Sequence, residues 1–178
     1  MGVHTSTLGG FRDWPHAGIN KLYLDGDRAV RDLAIDRSGV LGRMRDPELA
    51  TIVGFTAAEY KTAIAGLSIV TGRRQILLGA IGTDVYETSL EDSFCAVAVQ
   101  RPDEPLIVPD ATRDPRFATF RTVTGQPFVR FYAGVPVLDR NGFALGALCI
   151  ADRTPRHEAF DPTMLLIRAR EIERLLRS

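Results

Sequence analysis

Arg130 is the charged side chain with the most distinctive setting in this sequence. It lies between apolar neighbours in residues 129–137, a run that alternates as a strand does, so we expect a partly buried guanidinium. A buried guanidinium needs a carboxylate or an anionic ligand close to it. We favour an internal ion pair with Asp110 or Asp152, and the binding of an anion is the alternative.

Cys95 and Cys149 supply the thiols of the chain. Both lie in apolar surroundings, which favours buried thiols that pack as small hydrophobic groups. They can form a redox pair only if the fold brings them together. The histidines, His4, His16 and His157, are scattered and show no spacing typical of a metal or haem site. Since no motif pairs a nucleophile with a base, we expect the protein not to be an enzyme.

Alternation along the strand around Arg130 separates its neighbours into two sets. Phe128, Arg130, Tyr132 and Gly134 share one face, and we expect this more polar set to line any cavity. The aromatic residues are assigned first to the core and second to ligand stacking; they are Phe94, Phe117, Phe120 and Phe131. The candidate ligand-binding residues are therefore Phe94, Asp110, Phe117, Phe128, Arg130, Tyr132 and Asp152.

A hairpin should hold these residues in place. Residues 129–137 and 143–151 read as strands, and Asn141-Gly142 suits the positive φ angles of a tight turn between them. The second strand has no polar position, which indicates that it is covered on both faces. We therefore expect this hairpin at the centre of a sheet.

The remaining elements follow from local patterns. Asp46-Pro47 predicts the start of a helix that runs to residue 60, and residues 63–70 and 75–81 predict a second hairpin. Residues 93–100 form a strand or a short helix, 106–108 a short strand, 115–122 a short helix and 162–178 a final helix. This order predicts an α+β fold. Residues 1–45 are expected to be a partly irregular N-terminal arm with a short helix at 28–35, and residues 46–178 the folded domain.

Composition limits the kinds of partner. The 178 residues carry 22 basic and 22 acidic side chains, so no net charge favours nucleic acid or an anionic membrane. No apolar run is long enough to span a bilayer, and the N-terminus lacks the pattern of a signal peptide. We expect a cytoplasmic protein.

The apolar pattern of the final helix predicts that the chain associates with a second copy of itself. Leu165, Ala169, Ile172 and Leu176 follow the spacing of a coiled-coil seam, and Leu166 and Leu175 widen the apolar stripe. The stripe exceeds what packing on one sheet requires. It therefore predicts a homodimer through this helix.

Several short motifs resemble those of GAF domains. In chain order they are Ser-Phe-Cys-Ala at 93–96, Val-Pro-Asp-Ala at 108–111, Asp-Pro-Arg-Phe at 114–117, Arg-Phe-Tyr-Ala-Gly-Val-Pro at 130–136, Gly-Ala-Leu-Cys-Ile-Ala-Asp at 146–152 and Pro-Arg at 155–156. The resemblance covers residues 46–177 and is to the GAF domains of bacterial sensor kinases and cyclic-dinucleotide signalling proteins. It implies an antiparallel sheet of five to six strands with N- and C-terminal helices on one face. A ligand-type cavity is then expected on the other face, under the crossover segments.

The chain lacks the sequence motifs by which several ligand-binding groups of GAF domains are recognised. The Asn-Lys-Phe-Asp-Glu signature of cyclic-nucleotide binders is missing, and neither cysteine has the neighbouring histidine of bilin binders. The free methionine sulfoxide reductases of this fold use three cysteines, against two here. The sequence therefore shows no haem, bilin or metal signature, and it leaves the cofactor and the ligand unknown.

These patterns together predict a stand-alone regulatory module in signal transduction. It would sense a small molecule, mediate protein interaction, or do both, with a signalling protein acting in trans. The alternatives are a cysteine-dependent small-molecule reductase of the GAF fold and a purely dimerising domain whose pocket has closed.

Overall fold

The computed structural model describes the backbone of residues 21–177 and the side chains of residues 28–177. Within this part of the chain, the helices are α1 (Lys21–Ser38), α2 (Pro47–Tyr60), α3 (Phe94–Ala98), α4 (Arg121–Thr124) and α5 (Thr163–Arg177). The strands are β1 (Ile64–Val70), β2 (Arg74–Ile81), β3 (Glu87–Ser89), β4 (Leu106–Val108), β5 (Phe131–Leu138) and β6 (Ala144–Asp152). No described helix combines the length and apolar character that crossing a bilayer requires.

The six strands form one antiparallel sheet in the order β3-β2-β1-β6-β5-β4. The predicted hairpin is present as β5 and β6, and β6 lies between β5 and β1, so the hairpin is central as expected. Its first strand begins at Phe131 rather than Val129. Phe128 has a φ of 60°, and the Val129 N–H bonds to the Thr122 carbonyl instead of to a strand.

One face of the sheet is covered by α2, α5 and part of α1. The buried cluster on this side combines strand and helix residues, among them Ile35, Ile52, Leu67, Phe131, Leu148, Leu165 and Ile172. The predicted start of α2 is confirmed, because the Asp46 carboxylate accepts from the backbone N–H groups of Glu48 (2.9 Å) and Leu49 (3.3 Å). The α+β prediction, with helices on one face of a six-stranded sheet, is confirmed.

Helix α1 is longer than the short helix expected at 28–35. It docks through Asp32, whose carboxylate accepts from the Gly72 N–H at 2.7 Å, and through Arg31, which donates to the Ala144 carbonyl at 2.6 Å. Ile35 enters the buried cluster. The part of the predicted arm from residue 1 to residue 20 lies outside the described residues.

Residues 90–130 cover the opposite face. The short helix expected at 115–122 is instead a turn around Asp114 followed by the single helical turn α4. Helix α4 begins late because its cap comes from elsewhere: the Asp92 carboxylate accepts from the Arg121 N–H at 2.8 Å. Such a cap, 29 positions away, leaves no local signal in the sequence.

Helix α5 presents its predicted seam to its own sheet. Leu165, Ala169 and Ile172 are fully buried there, and they are not available to a partner. Glu173 is also buried, at 3% exposed; its carboxylate accepts from the Leu138 N–H at 2.9 Å and from Arg170. This carboxylate fastens α5 to the end of β5.

Removal of the Glu173 carboxylate should therefore destabilise the protein. In Glu173→Ala the Leu138 N–H loses its acceptor, and we expect the free energy of unfolding to fall by about 1–3 kcal/mol. Arg170 and Arg177, the basic neighbours, are half exposed and stay hydrated, which limits the loss. Urea denaturation followed by circular dichroism measures the change.

Glu171→Ala is the matched control on the same helix. Glu171 is 41% exposed in its side chain and pairs with Arg168 at the surface, so its loss should cost no more than about 0.5 kcal/mol. Equal midpoints for the two variants would contradict the role given to Glu173.

Candidate functional site

The candidate site lies on the face of the sheet opposite the long helices, around Cys149 of β6. Cys149 is paired across the sheet with Gly66 of β1 and with Gly134 of β5. Neither neighbour has a side chain, so the sheet forms a shallow trough with the thiol at its base. The other eight residues of β6 are buried, whereas Cys149 keeps solvent-accessible surface. Cys149 is therefore the one residue of β6 that is not fully buried.

Gly134 is required by the side chain that lies over it. A Cβ at Gly134 would come within 2.2 Å of the Tyr132 hydroxyl oxygen, so the Tyr132 ring runs along its own strand across the glycine. At Gly66, an added Cβ would lie 3.2 Å from Leu77 and 3.9 Å from the Cys149 sulfur. Small residues thus create the space in which the phenol and the thiols meet.

An aromatic stack forms one wall of the site. Phe94 of α3 lies between Phe117 and Tyr132, with ring centroids 4.6 Å and 4.7 Å away and nearly parallel planes. Phe120 meets the edges of Phe94 and Phe117 at 5.4 Å and 5.3 Å. All four rings are buried. The stack fills the volume beneath the crossover segment, so the predicted cavity is reduced to the trough beside it.

Helix α3 brings the second thiol to the trough. The helix starts at Ser93, whose hydroxyl accepts from the Ala96 N–H at 2.9 Å, and this places Cys95 over the sheet. The Cys95 sulfur lies 3.1 Å from the Tyr132 hydroxyl oxygen. It also lies close enough to the Cys149 thiol for the two groups to shift each other's pKa. The fold therefore brings together the two cysteines whose proximity the sequence left open.

The surroundings shift the pKa values of the two thiols in opposite directions. The interaction with Cys149 lowers the pKa of Cys95 against the opposing effect of burial, and the Ser68 and Tyr132 hydroxyls lower it further. The same interaction, together with burial, raises the pKa of Cys149 well above its ordinary value. Burial and the nearby Cys95 charge raise the pKa of Tyr132. Cys95 is therefore the thiol that ionises first.

Arg130 does not make the ion pair that we favoured. Its guanidinium donates to the backbone carbonyls of Val123 (2.9 Å) and Val129 (3.1 Å) and lies 6.0 Å from the centroid of the Phe128 ring. Among the residues that the structure describes, no carboxylate lies within ion-pair distance of it. Backbone carbonyls of a tight loop therefore solvate the charge, which an expectation based on charge alone does not anticipate.

The two carboxylates proposed as its partners are used elsewhere. Asp110 accepts from the backbone N–H and hydroxyl of Thr112, and the hydroxyl contact lowers its pKa. Asp152 lies on the helix side of the sheet, where it accepts from the Ala63 N–H (2.7 Å) and from Arg156 (2.8 Å). Neither reaches the trough.

Phe128 also lies away from the site. It is 39% exposed, because its left-handed backbone turns the side chain outward before β5 begins. Of the candidate ligand-binding residues, the structure brings together Phe94, Phe117 and Tyr132, next to Cys95 and Cys149. Sequence reasoning missed Gly66 and Ser68, which the alternation of β1 places on the trough face. Within the described chain, no three His, Cys, Asp or Glu side chains gather as metal ligands.

Comparison with known proteins identifies the fold. The GAF domain family matches residues 29–167. The chain is 38% identical over 130 residues to a cyclic di-GMP phosphodiesterase of Pseudomonas aeruginosa; the match covers 73% of this chain and 22% of that protein. The chain thus spans about a fifth of the length of this relative.

Solved structures share the same architecture. A type II free methionine-R-sulfoxide reductase from Thermoplasma acidophilum has a TM-score of 0.60 at 20% identity, over 74% of this chain and 91% of that one. The GAF domain of an Acinetobacter phosphoenolpyruvate-protein phosphotransferase has a TM-score of 0.59 at 15% identity, over 83% and 93%. At these identities the likeness concerns the fold alone.

The expectation that the chain is not an enzyme is wrong in the light of these relatives. The protein at 38% identity is named as a phosphodiesterase, and structures named as methionine sulfoxide reductases share the fold. Enzyme activity therefore belongs among the functions open to this chain. The family resemblance seen in the sequence is confirmed: the chain belongs to the GAF domain family.

Proposed function

We propose that the chain is a sensory module of cyclic di-GMP signalling, which controls the turnover of the dinucleotide in response to a small molecule. The observation that carries this proposal is the 38% identity to a cyclic di-GMP phosphodiesterase over 73% of the chain. The membership of the GAF family supports a regulatory and sensory role in signalling. The proposal places the protein in the cytoplasm, and its two free cysteines suit a reducing compartment.

The trough is the site at which the signal would enter. It combines an apolar wall, the Phe94 stack, with a few polar groups, the Tyr132 hydroxyl and the thiols, which is the composition of small-molecule sites. The alternative of a closed pocket draws support from the stacked rings. The surface left at Cys149, between two glycines, favours sensing over that alternative.

A chimera tests the proposal. We expect the P. aeruginosa phosphodiesterase to keep its hydrolysis of cyclic di-GMP when its matching segment is replaced by residues 29–167 of this chain. Within the chimera, Phe94→Leu should change the hydrolysis rate several-fold, because it alters the stack that shapes the trough. Phe128→Leu, at an exposed ring outside the site, should leave the rate unchanged.

Two outcomes would contradict the sensory role. One is a chimera whose rate responds to neither variant, with circular dichroism showing that both are folded. The other is hydrolysis of cyclic di-GMP by the isolated chain at the rate of the chimera, because the chain would then be the catalyst itself.

A cysteine-dependent reductase is the second candidate, and the meeting of Cys95 with Cys149 and Tyr132 is the observation that favours it. The assay is turnover of free methionine-R-sulfoxide with dithiothreitol as reductant. Turnover that Cys95→Ser abolishes and Phe128→Leu retains would establish this activity. No turnover by the wild type would remove it.

We also propose that the chain forms a homodimer through the outer surface of α2 and α5. The predicted seam is buried, but Phe55 and Ile167 are 54% and 47% exposed on these two helices. Arg168 of α5 contacts α2 at this surface: its guanidinium lies 5.6 Å from the centroid of the Phe55 ring and binds the Glu59 carboxylate at 2.9 Å. Exposed apolar side chains among charged ones are a common feature of protein interfaces.

Sedimentation measures the proposed association. We expect a dimer for the wild type at micromolar concentration and a monomer for Ile167→Glu, because the introduced charge cannot be buried at the interface. Val85→Glu replaces another exposed apolar residue, between β2 and β3, and should stay dimeric. A monomeric wild type, or a dimeric Ile167→Glu variant, would rule out this interface.

A further inference from the structure

The paired thiols have a geometry that their packing does not explain. Cys95 comes from α3 and Cys149 from the central strand β6, and both sulfurs meet in one trough of the sheet. Two cysteines buried as simple hydrophobic groups require neither polar neighbours nor an opening to solvent. Here the Tyr132 hydroxyl lies 3.1 Å from one sulfur, and the other keeps accessible surface.

Hydrogen-bond donors surround the inner sulfur. The Tyr132 hydroxyl oxygen lies 3.1 Å from the Cys95 sulfur, and Cys149 and Ser68 lie on the same face of the sheet. The Ser68 hydroxyl donates to the Ala147 carbonyl at 3.2 Å, and it also lowers the pKa of Cys95. Donors of this kind stabilise a thiolate, which is the reactive form of cysteine.

Access is restricted to small molecules. Cys95 is 2% exposed, so a bulky reagent cannot reach it in the folded protein. Cys149 is the more exposed of the two thiols, and it lies between two glycines, next to the Tyr132 ring that crosses Gly134. Because so little of the two thiols is accessible, we consider a small oxidant, hydrogen peroxide.

We propose that Cys95 and Cys149 are a peroxide-oxidised pair that closes a reversible disulfide between α3 and β6, with Cys95 as the attacking thiol and Cys149 as the resolving one. The trough is then a redox site on the sensory face of the domain. This inference stands independently of the cyclic di-GMP role, because it concerns the chemistry of the isolated chain.

The reaction is balanced with peroxide as the sole oxidant. The Cys95 thiolate attacks one peroxide oxygen, the O–O bond breaks, and the leaving hydroxide takes up a proton to become water. The Cys149 sulfur then attacks the Cys95 sulfenic acid, the S–O bond breaks, and the thiol proton leaves with hydroxide as a second water. Two thiols and one peroxide thus give one disulfide and two waters.

The test uses the full chain, reduced and then treated with hydrogen peroxide. After quenching, the protein is unfolded and labelled with N-ethylmaleimide, and intact mass spectrometry counts the free thiols. We expect the wild type to lose both labels, to recover them after dithiothreitol, and to yield a peptide pair linked through Cys95 and Cys149. In the absence of peroxide, native labelling should reach Cys149 before Cys95, because only Cys149 is accessible.

Three variants assign the roles. Cys149→Ser should stop at a Cys95 sulfenic acid, which dimedone traps, and Cys95→Ser should leave Cys149 free to label. Tyr132→Phe should shift the pH profile of wild-type oxidation to higher pH, because the Cys95 thiolate loses a donor. A merely structural role for the phenol would not move this profile.

Full labelling of both thiols in the peroxide-treated wild type would overturn the proposal, and this measurement needs no variant to fold. A disulfide that links two chains, seen on a non-reducing gel, would overturn it as well. A dimedone adduct on Cys149 in the Cys95→Ser variant would reverse the assigned roles and contradict the proposal as stated.

Discussion

The pairing of β6 on both of its edges is the constraint on which the rest of the domain depends. β6 lies between β1 and β5, and its two faces carry the two buried clusters of the protein. This close packing leaves no room at Gly146, where an added Cβ would lie 1.8 Å from the Ser68 carbonyl oxygen. A strand paired on both edges and buried on both faces has one allowed register, since a shift of one residue would exchange the clusters. The position of Cys149 between two glycines follows from that register.

The sequence predicted those elements that local patterns specify. The central hairpin has an Asn-Gly turn and a long apolar strand, and α2 has an acidic cap followed by proline, so both were placed within two residues. Residues 94–99 are apolar throughout, and an element buried on every side loses the periodicity that separates helix from strand. Helix α4 was placed too early because its cap, Asp92, belongs to a distant segment.

The site was only partly predictable, for a related reason. Alternation along β5 correctly put Tyr132 and Gly134 on one face and Phe131 on the other. It failed for Phe128 and Val129, because the chain before β5 adopts a left-handed conformation that phenylalanine does not signal. The meeting of Cys95 and Cys149 depends on how α3 folds over the sheet, and no spacing in the sequence encodes that contact.

Strand β5 joins the trough to the last helix. Tyr132, near one end of the strand, carries the phenol that touches Cys95, and Leu138, at the other end, donates its N–H to the buried Glu173 carboxylate of α5. The two positions are about 20 Å apart along one continuous strand. Because β5 is hydrogen-bonded to β6 along its length, it resists stretching. It therefore holds the Tyr132 phenol at a fixed distance from the end of α5 that Leu138 contacts. The position of the phenol beside Cys95 and the anchor point of α5 are therefore set by the same strand.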